Sequence, residues 1–86
     1  MGTKNNPGDF DCYANAHPDE PMFVLLGRDP HGGNSVRAWA AAYKRRKKAQ
    51  GQWDERAIKK HDEAIVCAEQ MDVWYVSGKR ETEGGK

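Results

Sequence analysis

Two stretches of the chain repeat apolar residues at intervals of three and four, and one short stretch is apolar without a break. In the first, Val36, Trp39, Ala40, Tyr43 and the stem of Lys47 recur at the spacing of one helical face, since a turn of 3.6 residues brings such positions to one side. Asn34 or Ser35 can cap the free amides of its first turn. Gly51 supplies the stop, because the left-handed residue that follows many helices is easiest to place without a side chain. This predicts a helix over about 35–50. In the second stretch, Ala57, Ile58, His61, Ala64, Ile65, Ala68, Met71 and Tyr75 form a stripe that Cys67 and Trp74 broaden. Asp54 complements the positive end of that helix, and Glu55 stands four residues before Lys59 as a favourable pair. The spacing predicts a second helix over about 54–76, antiparallel to the first across a tight turn and ended by Ser77 and Gly78.

The unbroken run is Met22, Phe23, Val24, Leu25 and Leu26, set between Pro21 and Gly27. Its length suits a buried strand or an extended segment crossing a core. Pro18, Pro21 and Pro30 keep their surroundings out of helical geometry, and Gly32 and Gly33 permit a sharp turn before the first long helix. The fold expected is therefore mainly α: a two-helix antiparallel hairpin (about 35–50 and 54–76) preceded by an extended or short β segment (about 21–27). One partner helix does not cover a stripe as wide as that of the second helix, so the fold is expected to be completed by homo-oligomerisation. Residues 1–16, polar and turn-rich around Asn5, Asn6, Pro7 and Gly8, read as a loose N-terminal arm. Residues 17–78 read as a single helical-hairpin domain, and 79–86, rich in charge and glycine, as a disordered tail.

Composition narrows the function classes. A chain of 86 residues has room for one modest core, because a domain of that size hides only about 60% of its unfolded surface. No apolar run in it approaches the roughly 18 residues of a bilayer span, so no membrane segment is expected. The polar start, Met1 to Asn6, lacks the apolar stretch of a signal peptide and points to the cytoplasm. There Cys12 and Cys67 are expected as free thiols rather than a bridge. His17, His31 and His61 stand apart from one another and from the cysteines, so a metal site has little support, and no cofactor is expected. Net charge is +1 but unevenly placed: −3 over residues 1–20, +7 over 21–60 and −3 over 61–86.

A set of motifs goes beyond these general properties. Asp19, Glu20, Pro21, Met22, Phe23, Val24, Leu25, Leu26, Gly27, Arg28 and Asp29 run consecutively, Val36 and Trp39-Ala40 follow, and Ala64, Cys67, Ala68, Met71 and Trp74 close the pattern. Over roughly residues 12–75 the chain resembles a family of small proteins from phages, prophages and bacteria whose members are mostly described as of unknown function. The resemblance implies a biological setting more than an activity. Family members often carry Ala or Leu after the Asp-Pro step, where this chain has His31, Gly32 and Gly33.

Candidate chemistry lies in three places. Glu20, Arg28, Asp29 and His31 superficially offer acid–base parts. No nucleophile elbow, phosphate-cradling loop or metal triad accompanies them, so no enzyme is expected. Either Asp29 caps a turn and Arg28 pairs with Glu20 or Asp19, or these side chains contact a ligand. Lys44, Arg45, Arg46, Lys47 and Lys48 form either a solvated helix end suited to the negative end of the dipole or an anion-binding surface that Arg37, Arg56 and Lys59 or Lys60 extend. Trp39 and Trp74 lie on the inferred apolar faces, which favours core or oligomer interface over stacking on a base, and Trp53 staples the turn or meets a partner. The candidate ligand-binding set is Glu20, Arg28, Asp29, Arg37, Trp39, Lys44 and Lys48. The function expected is a non-enzymatic phage-type binding protein of the anti-defence kind, whose homo-oligomer sequesters a phosphate-containing nucleotide. The alternatives are a protein–protein inhibitor or adaptor of a host complex and, less favoured, a nucleic-acid-binding accessory protein.

Overall fold

A computed structural model describes residues 1–78; the tail expected at 79–86 lies outside the described residues. Three helices occur in the order α1 (Cys12–Asn15), α2 (Gly32–Ala49) and α3 (Glu55–Val76), and α2 packs on α3. The contacts fix their direction. Gly33, at the start of α2, faces Ala68 and Asp72 late in α3, whereas Lys44, late in α2, stands over Trp53 just before α3. The two helices are therefore antiparallel.

The start of α2 differs from the expectation of a cap at Asn34 or Ser35. The helix begins at Gly32, with His31 as its N-cap and no side-chain cap bond. Asp29 instead shapes the entry, its Oδ1 accepting the His31 N–H at 2.8 Å. The two glycines are buried inside the first turn rather than bending the chain ahead of it. A Cβ at position 32 would lie 2.6 Å from Met71 Cε and 3.1 Å from the Leu26 carbonyl oxygen, and one at 33 would overlap the Asp72 carboxylate. Close approach to α3 thus decides these residues, at a propensity cost of up to about 1 kcal/mol each relative to Ala.

The turn between the long helices follows the sequence closely. Gly51 takes φ 69°, its N–H bonds to the Lys48 carbonyl at 3.1 Å and the Gln52 N–H bonds to the Lys47 carbonyl at 2.8 Å, the paired bonds of a Schellman stop. Asp54 then caps α3, Oδ1 accepting the Ala57 N–H at 2.9 Å, a contribution of about 1 kcal/mol.

Between the helices lies a seam of small residues: Ala40, Ala57, Ala64 and Ala68 are buried, with Met71 at one end and Phe10 at the edge. Trp39 and Trp74, expected on the apolar faces, are 41% and 46% exposed, because a seam this narrow has no room for an indole.

The segment over 21–27 forms no strand among the described residues. Met22, Phe23, Val24 and Leu26 are exposed, and only Leu25 is half-buried. The hairpin offers no sheet edge for this segment to pair with, and alanines already fill the space between the helices.

Residues 1–10, within the stretch 1–16 expected as a loose arm, lie along α3. Phe10 is buried, and Asp9 Oδ2 pairs with Lys59 Nζ at 2.7 Å. The Met1 α-ammonium donates to the Phe10 carbonyl at 2.6 Å and to the Pro7 carbonyl at 2.8 Å. It also stands 3.1 Å from Glu63 Oε1, a buried oxygen that has this charge contact and no hydrogen-bond partner. The apolar anchor of the arm is thus a single aromatic ring in an otherwise polar stretch. Cys12 and Cys67 are free thiols. Among the described residues no helix is long and apolar enough to cross a membrane.

Candidate ligand-binding face

Trp39 and Tyr43 stand four residues apart on α2, so their rings share one side of the helix. They stack with centroids 4.9 Å apart and planes 20° from parallel. From α3, Lys60 brings its Nζ to 5.5 Å from the Tyr43 ring and 5.8 Å from both Trp39 and Phe10. Arg56, one turn earlier, holds its guanidinium 5.1 Å from Phe10, and Lys47 stands 5.6 Å from Tyr43. Three elements thus converge: the arm supplies Phe10, α2 supplies Trp39, Tyr43 and Lys47, and α3 supplies Arg56 and Lys60. Among the described residues no carboxylate pairs with Lys47, Arg56 or Lys60. Each cation–ring contact contributes about 0.5–1 kcal/mol at an exposed site, which orients the cations without neutralising them.

A second cluster sits at the hairpin turn. Lys44 Nζ lies 5.5 Å from the Trp53 ring, which meets His61 edge to face at 5.5 Å. His61 Nδ1 is in turn 2.9 Å from Asp62 Oδ1. Trp53 therefore packs within the turn, one of the two roles open to it from the sequence.

The seven expected site residues do not come together. Arg37 is engaged in holding the helices, donating to Asp72 Oδ2 at 2.7 Å and to Asn34 Oδ1 at 2.6 Å. Glu20 closes its own turn, Oε1 accepting the His17 N–H at 2.9 Å. Asp29 is occupied with His31, and Arg28 is exposed without an ion pair to Asp19 or Glu20 among the described residues. Lys44 belongs to the turn cluster and Lys48 to the solvated end of α2. Trp39 alone joins the convergent face. The i, i+4 spacing of Trp39, Tyr43 and Lys47 was a usable signal for that face, whereas Phe10 carried none, lying among polar residues.

The ion pair between the arm and α3 shifts both of its partners. Its hydrogen bond to Lys59, reinforced by that ammonium's charge, holds the Asp9 carboxyl below its ordinary 3.8, and the same bond and charge raise Lys59 above 10.5. Among the described residues, no three metal-ligating side chains gather in one place. No family model, curated protein or solved structure matches the chain.

Proposed function

We propose that the chain is a non-enzymatic, cytoplasmic binding protein for a phosphate-bearing aromatic ligand of the nucleotide class, with an anti-defence role in the phage or prophage setting that the motif resemblance implies. One observation carries this reading: Trp39 is stacked on Tyr43 yet 41% exposed, with the ammonium of Lys60, which meets no carboxylate among the described residues, beside both rings. A nucleobase stacked on an exposed aromatic face gains about 1–3 kcal/mol, and Lys60 and Arg56 are positioned to donate charge-assisted hydrogen bonds to its phosphate. On one small chain the face is open. Burial of most of the ligand requires a second copy, which is the role of the homo-oligomer in this proposal.

The test is a panel of mono-, di- and cyclic nucleotides, read by melting temperature and by Trp fluorescence. A ligand at 100 times its dissociation constant adds about 2.7 kcal/mol to stability by linkage, a readily measured shift. Trp39→Ala and Lys60→Gln should each weaken binding at least about tenfold while circular dichroism stays helical, the loss of one stacking or charge-assisted contact. No shift with any nucleotide would sink the proposal.

The same run of cations and rings favours single-stranded nucleic acid as the second reading. That reading requires affinity to fall steeply with salt, and weak salt dependence removes it.

A further inference from the structure

Arg56, Lys59 and Lys60 stand at i, i+3 and i+4 on α3, so a single turn gathers their cations on one side of the helix. The acids that follow them are engaged with other partners, Asp62 with His61 at 2.9 Å and Glu63 with the Met1 ammonium at 3.1 Å. What meets the cationic turn is the arm, through two consecutive residues. Asp9 Oδ2 pairs with Lys59 Nζ at 2.7 Å. The Phe10 ring lies 5.1 Å from the Arg56 guanidinium and 5.8 Å from Lys60 Nζ.

These two contacts differ in kind. Asp9 supplies an anion and Phe10 a π face, both of which attract cations. Side by side they offer this turn of α3 what an aromatic phosphate offers, a flat ring joined to a negative charge. The polar half of the contact is open to solvent, since the Asp9 and Lys59 side chains are each 63% exposed, and an exposed ion pair of this sort is weak. The ring half uses the same two cations, Arg56 and Lys60, that face a ligand stacked on Trp39. Lys60 is already shared, lying 5.8 Å from Trp39 and 5.5 Å from Tyr43 as well.

We infer that the arm is an internal competitor of the ligand: Asp9 and Phe10 occupy the cationic turn of α3 that a nucleotide phosphate takes when the arm gives way, and Lys59 then joins Arg56 and Lys60 as a phosphate-binding residue. The competition presupposes the nucleotide reading of this face and adds its regulation. A terminal phosphate brings roughly two negative charges and three acceptor oxygens, against the single charge of the Asp9 carboxylate, and so satisfies more of the three cations at once. Phe10 adjoins Asp9 in the chain and leaves with it, which frees Arg56. By linkage, whatever undocks the arm tightens ligand binding, and ligand binding undocks the arm to the same extent.

Calorimetric titration of the full chain with mono-, di- and cyclic nucleotides tests it. Phe10→Ala should tighten binding about tenfold or more while lowering stability, because a larger share of the chains then holds its cations open. Asp9→Ala leaves the ring in place and should tighten binding about threefold, the equivalent of an exposed ion pair. Adding Lys59→Gln to Asp9→Ala should take that gain away, since Lys59 is by then a phosphate contact and no longer an arm contact. Saturating nucleotide should also speed proteolytic cutting within residues 1–10 of the parent chain. Affinity that rises in neither Phe10→Ala nor Asp9→Ala, or a cleavage rate that nucleotide does not raise, would overturn the competition and leave the nucleotide reading standing. Binding seen in the variants alone would show an arm that holds the site shut. No binding in the parent or in either variant would remove the nucleotide reading and the competition together.

Discussion

Gly33 lies so close to Asp72 that any side chain at position 33 would overlap the Asp72 carboxylate. The other oxygen of the same carboxylate accepts from Arg37 Nη1 at 2.7 Å. One acid near the end of α3 thus sets both how near α2 comes and how it is held there.

Gly33→Ala should consequently destabilise the fold even though alanine is the better helix former by about 1 kcal/mol. The added methyl displaces the carboxylate, breaks its pairing with Arg37 and presses on the Ala68 carbonyl oxygen, 3.2 Å from the new Cβ. The expected net loss is about 1–2 kcal/mol, within the range of overpacked sites, read from urea midpoints. Asp72→Ala alone should cost less than about 1 kcal/mol, since the pair is half exposed. In that background much of the penalty of Gly33→Ala should disappear. Additive losses would show that Asp72 is not what limits the approach.

Phe10→Ala tests the arm. The ring is buried beside Arg56 and Lys60, and its removal should cost about 2–3 kcal/mol, less than the 3–5 of a central Phe because it lies at the edge of the core. Limited proteolysis should then cut residues 1–10 faster than in the parent chain. An unchanged urea midpoint together with an unchanged cleavage rate would show that the arm adds nothing to stability.

The Asp9–Lys59 pair makes stability depend on pH at both extremes. Asp9 has a folded value below 3.8, so its contribution is present above 3.8 and is lost as pH falls through the lower folded value. Lys59 has a folded value above 10.5, so its contribution is present below 10.5 and is lost as pH rises through the higher one. Both side chains are largely exposed, and the effect should shrink in high salt. Carboxyl titration by NMR should find Asp9 below 3.8 in the parent chain and at its ordinary value in Lys59→Met. The same value in both chains would refute the pairing.

The helices were legible in the sequence because their signals are local. The apolar spacing marks α2 and α3, Gly51 marks the stop and Asp54 the restart, and each acts through its own turn. The start of α2 was misread for the opposite reason: Gly32 and Gly33 look like a flexible bend until Met71 and Asp72, nearly forty residues away, are seen against them. The width of the α3 stripe was legible as well, although it does not reveal that alanines would take the inside and leave Trp74 half exposed. Apolarity in residues 22–26 signalled a need for cover without saying what provides it. The convergent face was half legible. Trp39, Tyr43 and Lys47 share a spacing, whereas the approach of Phe10 and Lys60 depends on how an arm without periodicity lies across a helix.

The seam between the helices also governs how such a chain can change over generations. Where the backbones meet through Gly33, Ala40, Ala64 and Ala68, almost every exchange adds atoms to a space that has none to spare. The indoles and phenyl rings outside meet no such limit and can be altered one at a time to suit a new ligand or mate. In this protein constraint resides in the smallest residues, and the capacity to diversify in the largest.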